Sequence, residues 1–130
     1  MRADADVPCH VLVVDDEALV RDTMAEMLAD EGIRVTALSS GEALLELLPT
    51  LTEPPAMLII DVKLGAGLGG YEAARAARTR FDDLPVVHVS GDLRPLIRLS
   101  GRNDLALLKP FTRDTLLQVV RGVIRDDGSL

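Results

Sequence analysis

Tryptophan is absent from this chain of 130 residues, and Tyr71, Phe81 and Phe111 are its only aromatic residues. The core implied by a hydrophobic content of 48% must therefore be aliphatic, built from Val, Leu, Ile and Ala. Tyr71 and Phe111 read as core or hinge residues and not as a stacking platform. A single cysteine, Cys9, excludes an internal disulfide framework and a cysteine-based zinc site, as expected of a cytoplasmic protein. No apolar run approaches the roughly 18 residues of a membrane span. The start, MRADADVP, is polar, so neither a signal peptide nor membrane insertion is expected. There is no dense Lys/Arg block, and the net charge is −7. Nucleic-acid binding needs a cationic surface to release counterions, so direct contact with DNA or RNA is not expected.

What is present is a pattern. VLVV (Val11 to Val14) ends in Asp15-Asp16-Glu17, and MLII (Met57 to Ile60) ends in Asp61. PVVHV (Pro85 to Val89) ends in Ser90-Gly91, and LALL (Leu105 to Leu108) in Lys109-Pro110. Short apolar runs between helical patterns read as buried parallel strands, and ligands of open α/β sheets bind at the carboxyl ends of such strands. Strand-like and helix-like stretches alternate five times, which predicts an α/β domain with helices on both faces of a parallel sheet. Val20, Met24, Met27 and Leu28 recur at helical spacing, with Gly32 as the stop. Ile33 to Leu38 alternates like an edge strand. Ser40 caps a second helix through Leu48, and a third helix runs from about Tyr71 to Arg80. Asp92 caps a short fourth helix that tolerates Pro95 in its first turn. Gly101 to Asp104 forms a turn, and Thr112 caps a last helix whose apolar face includes Leu116, Val119, Val120 and Val123. Residues 1–8 are expected as a tail, 9–126 as the domain and 127–130 as a second tail, with no repeat or linker.

These endings would bring three carboxylates, a hydroxyl and an ammonium to one crevice. Crowded carboxylates are unfavourable unless a cation neutralises them, and an oxygen-only set suits Mg²⁺. Asp-Asp-Glu at a helix start also fits capping and the helix dipole, which accounts for Glu17. It does not account for Asp61 at the end of a hydrophobic strand, where a metal-neutralised carboxylate is a nucleophile toward phosphorus. Lys109 and Ser90 would each bind a phosphoryl oxygen. A proline after Lys109 also admits a cis peptide bond that aims the lysine.

The joint motif VLVVDDE, Asp61, VSG around Ser90 and LLKPF ending in Lys109-Pro110-Phe111 resembles a response-regulator receiver domain of two-component signalling, from about Cys9 to Arg125. The resemblance implies a doubly wound, five-stranded parallel sheet, flavodoxin-like (βα)5, with strand order 2-1-3-4-5. It implies that Asp61 accepts a phosphoryl group from a histidine kinase or phosphotransfer protein in a His-Asp phosphorelay. Asp15, Asp16, Asp61 and the backbone carbonyl of Lys63 would hold Mg²⁺, while Ser90 and Lys109 bind the phosphoryl oxygens. The expected product is a switch of protein–protein contacts with a downstream protein target or a second copy. No enzyme activity is expected beyond catalysis of the domain's own phosphorylation and dephosphorylation. With no effector domain after the last helix, the expectation is a single-domain, chemotaxis-type receiver.

The chain departs from the family's pattern in two places. Receivers carry Tyr or Phe three residues before the lysine, where this chain has Ala106, so another packing change must signal phosphorylation. The loop LGAGLGG after Asp61 lacks the usual proline and is one residue longer; its glycines leave it entropically free, to order when metal or phosphoryl binds. Gly65, Gly67 and Gly70 also spell a literal G-x-G-x-x-G, but Asp61 to Leu64 intervene before it and no acid ends the next strand, which argues against dinucleotide binding. His10 and His88 read as packed strand residues, each with one hydrogen bond, since neither has metal-ligand spacing. A phosphatase of the haloacid dehalogenase type needs an acid two residues after the nucleophile, where Lys63 stands. A phosphorylation-independent scaffold would not need the full set of site side chains.

Overall fold

A strand covered on both faces has no polar side, and the central runs of this chain are built that way. The structure, a computed structural model, describes residues 9–99, 101 and 103–124. The tails expected at 1–8 and 127–130, residues 125–126 and Arg102 of the expected turn lie outside the described residues. The strands are β1 (His10–Val14), β2 (Arg34–Leu38), β3 (Met57–Asp61), β4 (Val86–Ser90) and β5 (Asp104–Leu108). The helices are α1 (Ala18–Ala29), α2 (Gly41–Leu47), α3 (Gly70–Arg80), α4 (Leu93–Leu96) and α5 (Arg113–Ile124). The sheet is parallel with order β2-β1-β3-β4-β5, the doubly wound flavodoxin-like arrangement.

Alternation along each strand sends side chains to opposite layers. Val11, Val13, Met57, Ile59, Val87 and Val89 meet Met24 and Leu28 of α1 and Leu116, Leu117, Val120 and Val123 of α5. On the other face Leu12, Val14, Leu58, Ile60 and Val86 meet Leu44 of α2 and Ala73, Ala74 and Ala77 of α3. The largest fully buried side chains are Leu, Met, Ile and Val, so the core is aliphatic as the composition requires. Phe111 and Val119 pack at the margin of the first layer. Among the described residues no helix is long and apolar enough to cross a membrane.

The helix starts follow local hydrogen-bond chemistry. Ser40 Oγ accepts from Ala43 N–H at 3.0 Å, Asp92 Oδ1 from Arg94 N–H at 3.0 Å and Thr112 Oγ1 from Thr115 N–H at 3.1 Å. Pro95 falls in the first turn of α4, and Gly32, with φ of +80°, ends the segment after α1. Three expectations need correction. The α2 helix ends at Leu47, and residues Leu48–Thr50 tighten into a 3₁₀ turn with Pro49 inside it. LALL is not a buried strand: β5 is a sheet edge beside the short α4, and only Leu107 of it is buried. His10 makes two hydrogen bonds, to Thr36 Oγ1 at 2.8 Å and to the Arg34 guanidinium at 3.1 Å, because β2 is an open edge with polar neighbours.

Candidate functional site

Each strand delivers its last residue to one rim because the registers are aligned. Asp61 pairs with Val89, and Ser90 pairs with Leu108, so Asp61, Ser90 and Lys109 emerge side by side. A cleft of about 550 Å³ there is lined by Asp16, Glu17, Asp61, Lys63, Gly65, Ser90, Gly91, Asp92 and Lys109. Asp15 lies beneath them with no exposed surface, while Asp61 and Ser90 are nearly buried.

Lys109 is the centre of charge. Its Nζ stands 3.0 Å from Asp61 Oδ2, 3.2 Å from Asp15 Oδ2 and 3.4 Å from Glu17 Oε1. Burial draws the ammonium's pKa down, but the hydrogen bond to Asp61 and the charges of Asp15 and Asp61 outweigh it and hold the pKa above the ordinary lysine value. Burial likewise pushes Asp15 above the usual carboxylate range, against the opposing pull of the Glu17 N–H and Lys109. Asp15 Oδ1 accepts from Glu17 N–H at 2.9 Å, so part of the capping reading holds. Asp15 Oδ2 is buried and, despite the nearby ammonium, has no aligned hydrogen bond.

Asp15, Asp16 and Asp61 each offer an oxygen within 4.8 Å of the others. Three converging carboxylates, one with an unsatisfied buried oxygen, fit a hard divalent cation such as Mg²⁺. Lys63 is drawn in through its amide, which donates to Asp61 Oδ1 at 3.0 Å. Ser90 Oγ accepts from Asp92 N–H at 3.0 Å, which fixes the hydroxyl at the rim, and the Lys109 amide donates to Ser90 O at 2.8 Å. The Lys109-Pro110 peptide bond is cis. All five side chains singled out from the sequence thus share one cleft or its floor.

Glu17 is the member that sequence reasoning assigned only to the helix dipole. It is the N-cap residue of α1, makes no side-chain cap bond, and turns its carboxylate to Lys109. The loop after Asp61, expected to be loose, is tied to Asp16 by Gly65 N–H at 3.0 Å and to Glu42 by Leu68 N–H at 2.8 Å. Its closing Gly70 is needed for packing, since a Cβ there would meet the Asp61 carbonyl. The three glycines thus shape this loop, and no strand leads directly into them as a dinucleotide fingerprint requires.

Residues 11–121 match the family model described as the response regulator receiver domain. The chain belongs to the response regulator receiver family. Among curated relatives, this receiver is 31% identical over 130 residues to the response regulator MprA of Mycolicibacterium vanbaalenii, covering 95% of the chain and 55% of MprA. It is 30% identical over 118 residues to the CAI-1 autoinducer sensor kinase/phosphatase CqsS of Vibrio cholerae, covering 85% of the chain and 17% of CqsS. The receiver spans about half the length of the MprA proteins it matches. A response regulator receiver protein of Sinorhizobium medicae has a similar structure, with a TM-score of 0.81, 27% identity, and coverage of 91% of this chain and 95% of that one. The chemotaxis protein CheY4 of Vibrio cholerae shares the fold, with a TM-score of 0.80 at 24% identity, covering 90% and 99% of the two chains.

Proposed function

We propose that this receiver takes a phosphoryl group on Asp61 from a histidine kinase or phosphotransfer protein, and that the modified domain switches its contacts with a protein target or a second copy. The observation that carries this reading is Lys109 Nζ set 3.0 Å from Asp61 Oδ2 and 3.2 Å from Asp15 Oδ2 at the carboxyl ends of the central strands. An Asp61 oxygen attacks phosphorus; the new O–P bond forms as the N–P bond of phosphohistidine breaks, and the leaving imidazole takes its proton from solvent. The ammonium of Lys109 moves from carboxylate to phosphoryl oxygen, and Ser90 Oγ donates to a second oxygen. Asp15, Asp16, Asp61 and the Lys63 carbonyl would hold Mg²⁺, which when bound offsets charge on the phosphoryl oxygens. Attack of water on the aspartyl phosphate restores Asp61 and frees inorganic phosphate, so the domain catalyses only its own phosphorylation and dephosphorylation.

The net charge of −7 argues for a protein partner over nucleic acid, and the single cysteine suits the cytoplasm. The domain boundaries are taken as 9–126. Intact-protein mass spectrometry after incubation with Mg²⁺ and acetyl phosphate tests the reading. Addition of one phosphoryl group to the wild type, absent without Mg²⁺ and in Asp61→Asn, is the expected result. Labelling of the Asp61→Asn protein would remove Asp61 as acceptor.

A further inference from the structure

The loop between β3 and α3, residues 62–69, has Gly65, Gly67 and Gly69 and no side chain larger than leucine after Lys63. Such a segment loses much conformational entropy when ordered. Three of its amides are nevertheless tied to carboxylates. Lys63 N–H donates to Asp61 Oδ1 at 3.0 Å, Gly65 N–H to Asp16 Oδ2 at 3.0 Å and Leu68 N–H to Glu42 Oε2 at 2.8 Å. The first two end on carboxylates of the phosphoacceptor site. The third ends on the first turn of α2, outside that site.

The contact at Glu42 is close on several sides. Gly67 has φ of +107°, and a Cβ there would lie 2.6 Å from Glu42 Oε2. A Cβ on Gly41 would lie 3.1 Å from Leu68 O, so the start of α2 and the loop backbone pack directly. The Leu68 side chain packs against the second core layer. The Leu68 N–H and then Glu42's own N–H hold the Glu42 carboxyl below its usual range, which keeps it ionised as an acceptor.

We infer that Glu42 is a positioning residue for the Mg²⁺ and phosphoryl site: through Leu68 it holds the loop so that Gly65 N–H orients the Asp16 carboxylate. A hydrogen bond to one oxygen of a carboxylate fixes its direction and leaves the other oxygen for a cation, and such orienting partners tune metal affinity. Glu42 acts through the loop: its carboxylate accepts from Leu68 N–H and makes no hydrogen bond or ion pair with the proposed metal ligands or Lys109. The inference rests on the phosphoacceptor reading of the preceding section.

The test compares wild type, Glu42→Ala and Glu42→Gln in the full chain. Mg²⁺ alone is titrated into ¹⁵N-labelled protein, with the amides of Gly65 and Asp16 followed by NMR. Losing the clamp lowers the fraction of molecules with an oriented loop, and the apparent dissociation constant rises by the inverse of that fraction. Glu42→Ala should weaken Mg²⁺ binding about threefold to tenfold by that arithmetic. Glu42→Gln keeps an acceptor oxygen and should stay within about twofold of wild type. With acetyl phosphate, the Mg²⁺ concentration for half-maximal labelling should shift by the same factor in Glu42→Ala, while the rate at saturating Mg²⁺ and the thermal midpoint hold. Equal Mg²⁺ affinity in all three proteins overturns the inference, as does equal weakening in Ala and Gln variants or loss of maximal rate. A wild type that neither binds Mg²⁺ nor takes a phosphoryl group overturns the phosphoacceptor reading, and the inference falls with it.

Discussion

His88 Nε2 lies 3.0 Å from Asp104 Oδ1, and the Arg78 guanidinium reaches the same oxygen at 2.8 Å. Three elements, β4, β5 and α3, are thereby joined. Arg78 also donates to Leu84 O and Asn103 O, each at 3.0 Å, so its charge is held in place from several sides. Burial pulls the Asp104 carboxyl up, but the bonds from His88 and Arg78 outweigh it and hold it below the ordinary value of 3.8. A depressed carboxylate stabilises the fold above its unfolded pKa and loses that contribution as pH falls through its folded value.

Asp104→Asn should therefore cost about 1.5–3 kcal/mol at pH 6, the range for a hydrogen bond to a charged group. The difference between wild type and variant should shrink as pH falls below 3.8. Urea unfolding of both proteins across that range checks the sign. A difference that holds its full size well below that pH would show that the ion pair does not support the fold.

Gly70 opens α3 against the end of β3. A Cβ there would meet the Asp61 carbonyl and lie 2.9 Å from Val62 Cα, both backbone and unable to yield cheaply. Gly70→Ala should cost about 1–3 kcal/mol, the range for overpacking a close contact. It should also slow acetyl phosphate labelling, because the displaced backbone carries Asp61. Retention of both stability and labelling would show that α3 shifts without disturbing β3.

The strand endings were legible because each apolar run stops abruptly at a polar residue, and parallel strands send those stops to one rim. Helix starts at Ser40, Asp92 and Thr112 were legible because their chemistry is local. The network of His88, Asp104 and Arg78 was not, since Asp104 lies 16 positions from His88 and further still from Arg78, and they meet only through sheet order and the packing of α3. The same holds for Glu42 and Leu68, 26 positions apart, and for Glu17, whose local role masked its reach to Lys109. The exposure of β5 was hidden for a related reason: LALL is as apolar as a central strand, although the expected strand order makes it an edge, where Ala106 and Leu108 are exposed.

Ala106 pairs with His88 in the sheet, so β5 offers no aromatic side chain at that level. The aromatic contact comes instead from α3: the Tyr71 ring lies 5.4 Å from the His88 ring, and its hydroxyl donates to Pro95 O at 3.0 Å. Tyr71→Phe removes the bond that ties α3 to the short α4, at a cost of about 1 kcal/mol. Amide exchange at Ile97, whose N–H donates to Leu93 O at 3.1 Å, should then quicken about fivefold. Unchanged exchange there would assign the stability of α4 to the Asp92 cap and the buried Leu96.

The site itself should be under electrostatic strain that Lys109 relieves. Lys109→Ala leaves the buried Asp15 and the nearly buried Asp61 without their shared cation, and should lower stability by about 1–3 kcal/mol, less than for a fully buried pair. Mg²⁺ should raise the thermal midpoint of both proteins, and more in Lys109→Ala, where carboxylate charge is uncompensated. Asp15→Asn should act in the opposite sense. Burial raises the Asp15 pKa, so its ionised form opposes folding above the ordinary value of 3.8, and the neutral amide should raise the midpoint by a few degrees in chelator. The pH dependence of Lys109 has its own sign: its raised pKa gives stability that is full below 10.5 and is lost as pH rises through the higher folded value. Wild type and Lys109→Ala should therefore converge in alkali. Calorimetric melts of the three proteins with Mg²⁺ and with chelator measure these effects, and a Lys109→Ala midpoint at or above that of wild type in chelator would refute the strain argument.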